Sequence, residues 1–234
     1  MKIYEKKKDE NLKEYIYRLL KDNIMELELK PGTILSENEL SKILNVSRTP
    51  IREVLRRLNN EHLIEIMPQT GTMVTYIDRA LIDEVLFMRF VLEKEIIKLL
   101  QDTIATEEVN GLENLLSLQE FYMNKSMIID FHKYDTKFHE KLFAISKKTR
   151  VWESITNLST HYARARLLYD HNHNKAQKSI IIQHRKILNA ITEKASYQEI
   201  EEILREHILA PCESWPTEFQ KAGVNEYFLE MKNT

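Results

Sequence analysis

From Leu81 to His207 the chain contains one glycine, Gly111, and no proline. Residues that end helices or turn the chain are therefore almost missing from this stretch, while apolar residues recur at three- and four-residue spacing. The spacing predicts six helices, at roughly 80–103, 106–124, 126–147, 150–171, 175–194 and 196–210, folding as an all-α antiparallel bundle. Pro211 and Pro216 then interrupt the pattern.

The segment before residue 80 is punctuated differently. Pro31 and Gly32 stop a first amphipathic helix whose inner stripe reads Leu12, Ile16, Leu19, Leu20, Asn23 and Leu27. A short helix follows from Glu37 to Leu44, with Leu40, Ile43 and Leu44 inward, and Asn45 breaks it. The SRTP stretch opens a third helix reaching about Asn60. The run LIEIMPQTGTMVTYI is β-branched on both sides of a Pro/Gly centre and predicts a two-stranded hairpin with its tip near Gln69–Thr72. The expected organisation is a mainly α chain. A winged helix-turn-helix domain (three helices plus a β-hairpin) spans 1–76, a linker 77–80, a helical effector-binding and dimerisation domain 81–212, and a C-terminal extension 213–234.

The third helix carries the first functional signal. Ile51, Val54, Leu55 and Leu58 form its inward stripe, and Ser47 or Thr49 can cap its first turn. Arg48, Arg52 and Arg56 follow at four-residue steps on another face, joined by Arg57. Net charge is −2, so this basic surface is local rather than part of a global field. Arginine runs are usually solvated faces. Here, however, the arginines sit on a capped helix that follows a helix and a tight turn and precedes a hairpin. In that order, guanidinium forks suit guanine O6 and N7 in a DNA major groove, and the helix start suits phosphate.

The stretch LSENELSKILNVSRTPIREVLRRLNNEHLIEIMPQTGTMV resembles the winged helix-turn-helix of GntR-type bacterial transcription regulators over about residues 10–76. The resemblance implies DNA contacts by Ser47, Arg48, Thr49, Arg52 and Arg56, with Gly71 at the tip of a wing entering the minor groove. Two positions depart from the family pattern. Asn38 stands where many relatives carry an arginine, and His62 stands where glycine is usual.

The second signal is a set of polar residues on apolar faces. Asp135 falls on the seam Ile128, Phe131, Phe138, Leu142, Ile145, with His139 one turn on. His184 lies on the stripe Ile180, Ile181, Ile187, Ile191, and His207 on Ile200, Ile203, Leu204, Ile208. A buried carboxylate is costly unless it is paired or bound to a cation. Pattern by itself leaves two readings level: a buried hydrogen-bond network, or a divalent metal site with positions open to another ligand. The second half also resembles the FCD effector domain of the FadR subgroup, through D-x-x-F-H at Asp135–His139 and the placement of His184 and His207. That resemblance implies a metal held by Asp135, His139, His184 and His207, zinc in first place with nickel or manganese as alternatives, and a small organic or sugar acid completing its coordination. Arg89, in an R-x-x-L-E motif beside the stripe Val85, Met88, Leu92, Ile96, and Arg166, with Tyr162 nearby, are the candidate holders of the acid's carboxylate. His161, His171 and His173 are expected at a surface or helix end.

The expected function is a homodimeric, ligand-responsive repressor bound to a DNA operator, because one short recognition helix reads too few base pairs to be selective. The alternatives are a regulator whose polar cluster binds effector without metal, and a metal-dependent hydrolase fused to a DNA-binding domain. Against the hydrolase, Phe143 stands where a zincin's second histidine belongs, and neither a phosphate loop nor a nucleophile elbow is present. A charged start, the absence of any membrane-length apolar run, and a single cysteine, Cys212, point to the cytoplasm.

Overall fold

The computed structural model describes residues 1–67, 71–172 and 176–229. The chain divides into two compact units. The first is Met1–Leu81 with Leu158–Ala165 and the stretch from Val224 onward; the second is Ile82–Asn157 with Arg166–Gly223.

The first unit begins with α1 (Leu12–Met25), started by a capping box in which Asn11 and Glu14 satisfy each other's backbone N–H groups. Then come β1 (Ile34–Leu35), α2 (Glu37–Leu44), α3 (Arg48–Asn60), β2 (Ile64–Met67) and β3 (Gly71–Val74). Ile16, Leu20 and Ile24 of α1 pack with Leu40, Ile51, Val54, Leu55 and Leu58 in one core. The expected hairpin is present with β2 antiparallel to β3, but β1 adds a third strand on the far side of β3. Two residues are too short a run for period-two patterning to reveal. Gly32 makes the third strand possible: its φ is +82°, and a Cβ there would lie 2.8 Å from the Tyr76 hydroxyl. Gln69 and Thr70 of the expected hairpin tip lie outside the described residues.

Three further details differ from the sequence pattern. Leu12 and Ile43 are exposed, because each lies at the solvent edge of its helix. Ser47 is the N-cap of α3 but its side chain makes no cap hydrogen bond. His62 adopts the left-handed backbone, φ +57°, that a glycine takes after a helix, which costs on the order of 1 kcal/mol for a residue with a Cβ.

Also in the first unit, Arg164 is fully buried and donates to the Thr75 carbonyl (2.8 Å) and hydroxyl (3.1 Å), just past the end of β3. Burial lowers its guanidinium to about 10. His161, expected at a surface, is buried beside it and accepts the Asp78 N–H at Nδ1 (3.0 Å). His173 and the side chain of His171 lie outside the described residues.

The second unit is built from α4 (Arg79–Leu100), α5 (Thr106–Asn124), α6 (Ile128–Ile145), α7 (Thr149–Leu158), α8 (Thr160–Asn172), α9 (Ala176–Thr192) and α10 (Tyr197–Leu204), with α11 (Ala210–Glu213) and α12 (Trp215–Lys221) closing it. The single helix expected at 150–171 is two helices, parted at Ser159, and the first residues of α8 cluster with the first unit. Between α10 and α11 the chain makes one π turn, Arg205–Leu209. The buried face of α4 runs through Val85, Leu86, Arg89, Glu93, Ile96 and Ile97. It is rotated by about one residue from the expected stripe, so Arg89 and Glu93 lie inside rather than at the flank.

Candidate functional site

The first unit presents α3. With Ile51, Val54, Leu55 and Leu58 buried, helical geometry leaves Arg48, Thr49, Arg52 and Arg56 exposed, together with Ser47 ahead of them. Glu37, in the first turn of α2, accepts hydrogen bonds from Arg48 (3.1 Å) and from Arg52 through Nη2 (2.9 Å) and Nε (3.1 Å). This shared carboxylate braces α2 against α3 and aligns two guanidinium groups half exposed to solvent. Sequence reasoning missed Glu37, because a pair separated by 11 or 15 residues across a turn leaves no periodic trace. Arg57 turns away from the others: its guanidinium stacks on Tyr17, 3.4 Å from the ring centroid. Asn38 and Gly71 are exposed.

The second unit brings all four polar intruders together. Asp135 and His139 come from α6, one helical turn apart, His184 from α9 and His207 from the π turn; all four are buried. His207 follows the buried Ile200 by seven residues, two helical turns, and so shares its inner face; the π turn falls at this point of the chain. The Nε2 atom of His139 lies 3.2 Å from Nε2 of His184 and 3.1 Å from Nε2 of His207. Oδ1 of Asp135 lies 3.3 Å from Nε2 of His184. Phe138 stacks on the His184 ring at 4.5 Å.

A further ring of polar groups surrounds these atoms. Arg166 of α8 grips both oxygens of Asp135, at 2.5 and 2.7 Å. Glu93 of α4 reaches the Nδ1 atom of His139 at 2.9 Å, bent from the ideal hydrogen-bond line, and accepts the Arg89 Nε–H at 2.7 Å. Gln119 of α5 touches His184 Nδ1 (2.8 Å) and Asp135 Oδ1 (3.4 Å). Gln183 of α9 touches His207 Nδ1 (3.2 Å). The pairing of Arg89 with Glu93 is what the R-x-x-L-E spacing, one helical turn, also allowed; sequence reasoning passed over Gln119 and Gln183. Gln119 sits on the buried face of α5 with Leu112 and Leu116, which was the available signal.

Electrostatics follow from burial and from these partners. Burial pushes the Asp135 carboxyl up, but the Arg166 guanidinium and the nearby histidines outweigh it and hold it well below the ordinary carboxylate range. Glu93 is driven the same way, to about 2, as Arg89 and His139 overcome burial. Burial lowers His184 to about 3 and His207 well below its usual value. The centre thus holds an ionised Asp135 carboxylate beside neutral His184 and His207 rings.

The donor set fits a divalent metal. Two atoms each about 2.0–2.1 Å from one Zn²⁺ lie roughly 2.9 Å apart at a right angle and about 3.3–3.4 Å apart at the tetrahedral angle. The 3.1, 3.2 and 3.3 Å separations fall in that interval. His139, His184 and His207 are the metal-capable cluster found among the described residues. Of the candidate effector groups, Arg166 is at this centre, Arg89 is one step removed behind Glu93, and Tyr162 belongs to the first unit.

Known proteins resemble both halves of the chain. The family of bacterial regulatory proteins named gntR matches residues 12–74, and the FCD domain matches residues 84–210. The HTH-type transcriptional repressor RspR of Escherichia coli (strain K12) is 31% identical over 199 residues, covering 85% of this chain and 86% of its own. The gluconate operon transcriptional repressor of Bacillus licheniformis is 32% identical over 114 residues, 49% of this chain and 46% of its own. The solved structure of E. coli McbR/YncC shares the fold with a TM-score of 0.72 at 20% identity, covering 90% of this chain and 99% of that one. These relatives are regulators rather than enzymes, and among the described residues no helix is long and apolar enough to cross a membrane. With its DNA-binding helix-turn-helix in residues 12–74 and its FCD domain in 84–210, the chain belongs to the GntR family of bacterial transcription regulators.

Proposed function

We propose that this regulator is a homodimeric repressor whose helical unit binds a divalent metal through Asp135, His139, His184 and His207, and responds to a small carboxylic acid. The observation that carries the reading is the convergence of three imidazole Nε2 atoms and a carboxylate oxygen, 3.1–3.3 Å from one another along the chain of contacts, in a buried centre. Three nitrogens and one oxygen suit zinc best, with nickel and manganese as the alternatives. A bound cation supplies positive charge and open coordination positions to an acid's carboxylate. Arg166 is the group that recognises that acid: its planar fork already holds a carboxylate, so an entering anion competes with Asp135 for it. The relative named for a gluconate operon supports a sugar acid. Arg89 balances the Glu93 charge on this reading. The same Arg166–Asp135 pair favours the second reading, in which the carboxylate is satisfied without metal and effector binds directly.

Operator affinity decides between them. With zinc and a panel of small sugar acids, fluorescence anisotropy on an operator fragment is expected to show an affinity change of about 5-fold or more, the usual lower range of allosteric coupling. Equal affinity with and without acid, at saturating zinc, overturns the proposal. Ser47, Arg48, Thr49, Arg52, Arg56 and Gly71 form the proposed DNA surface. Arg52→Ala is expected to cost about 1–3 kcal/mol of discrimination between operator and random DNA at fixed salt, with unchanged circular dichroism. An unaltered specificity ratio removes Arg52 from the readout.

A further inference from the structure

Each of the three histidines touches a polar partner at Nδ1, and each partner leads to a group that only accepts hydrogen bonds. Glu93, held ionised beside Arg89, faces His139; a carboxylate accepts and does not donate, so Nδ1 of His139 carries the proton. For His184 the constraint passes through Gln119. The carboxylate of Asp135 needs a donor from Gln119, which turns the Gln119 Nε2 group toward Asp135 and leaves Oε1 facing His184. Nδ1 of His184 must then donate. For His207 the constraint passes through Gln183, whose Nε2 donates to the Glu206 backbone carbonyl (3.3 Å) and whose Oε1 therefore faces Nδ1 of His207. Flipping either amide would set oxygen against oxygen.

We infer that Glu93, Gln119 and Gln183 lock His139, His184 and His207 in the Nδ1-protonated tautomer, so that three bare Nε2 lone pairs point at one another and demand a cation. This rests on the metal-sensing reading and deepens it. A hydrogen-bond network among the rings needs an Nε2–H, and the neutral tautomers set by these partners supply none. The three partners are positioning residues: none lies among the converging atoms, and each acts through the histidine it orients. They come from three helices, α4, α5 and α9, so the lock exists only in the assembled bundle.

Two measurements test the lock. Long-range ¹H–¹⁵N spectra of histidine-labelled, chelator-treated wild-type protein read each tautomer directly. The expected result is protonated Nδ1 at His139, His184 and His207; Nε2-only protonation at His184 or His207 overturns the inference without any variant having to fold. Zinc affinity is then measured by chelator competition for the wild type and for Glu93→Gln, Gln119→Met and Gln183→Met. Each variant is expected to weaken zinc binding by about 10- to 100-fold. Each is also expected to disturb the tautomer of its own histidine while leaving the other two, which a general packing defect does not do. Folded variants with wild-type affinity overturn the inference. Nδ1 tautomers in a wild type that binds no zinc sink the metal-sensing reading and leave the lock standing; zinc binding with Nε2–H rings does the reverse.

Discussion

Purified without chelator, wild-type protein is expected to contain about one equivalent of divalent metal per chain, and the Asp135→Ala/His184→Ala double variant almost none. Binding of structural Zn²⁺ by four protein ligands is worth about 10–16 kcal/mol, so removing one ligand costs roughly 3 kcal/mol, a hundred- to thousand-fold in affinity. Removing two takes the site out of the range that survives purification. Because the double variant also leaves Arg166 without the Asp135 carboxylate, His184→Ala, which keeps that pair, is its control: it is expected to lose metal affinity without that source of destabilisation. Elemental analysis gives the answer directly. Equal, negligible metal in both proteins removes the sensor's centre.

Acid is expected to be the second large effect. His161 in the first unit and His184 in the second are neutral in the folded chain, with values lowered by burial to about 4 and about 3. Unfolded, each takes up a proton near pH 6.5. Between those limits the unfolded chain binds more protons, so stability rises with pH. The contribution is complete above about pH 6.5 and is lost as pH falls below it. At pH 5 each histidine has forfeited about 2 kcal/mol, from roughly 1.4 kcal/mol per unit over about 1.5 units. Asp135 and Glu93, whose values are lowered, add their own loss only below about pH 4.5. Urea unfolding of chelator-treated protein is therefore expected to show both units melting at clearly lower urea at pH 5 than at pH 7. His161→Asn keeps an acceptor for the Asp78 N–H and is expected to flatten the first unit's profile. Midpoints that do not move with pH contradict the buried-neutral assignment.

Much of this molecule was legible before any coordinate. The helix-turn-helix could be read because each of its signals is local: the breaks at Gly32 and Asn45, the cap position at Ser47 and the apolar stripe of α3 all act within one or two turns. Asp135 and His139 could be paired for the same reason, since residues four apart share a helix face. Where sequence reading failed, a non-local cause is visible. The strand β1 is held by its pairing with β3, and the break at Ser159 divides α7 from α8 inside an unbroken apolar pattern. The stripe of α4 was misread by one residue because Arg89 and Glu93 satisfy each other in the interior, and a hydrophobicity pattern scores both as surface.

The sequence by itself determined the helical bundle, the DNA-reading helix and the residue types able to ligate a metal, since propensity, capping and periodicity are properties of short segments. Tertiary structure decided what those residues are aimed at. The packing of α6, α9 and the π turn brings the Nε2 atoms of His184 and His207 within hydrogen-bond range of that of His139. Glu93, Gln119 and Gln183 choose which nitrogen of each ring carries the proton. A tautomer is settled by a neighbour tens of residues away in the chain, across helix contacts that leave no period in the sequence.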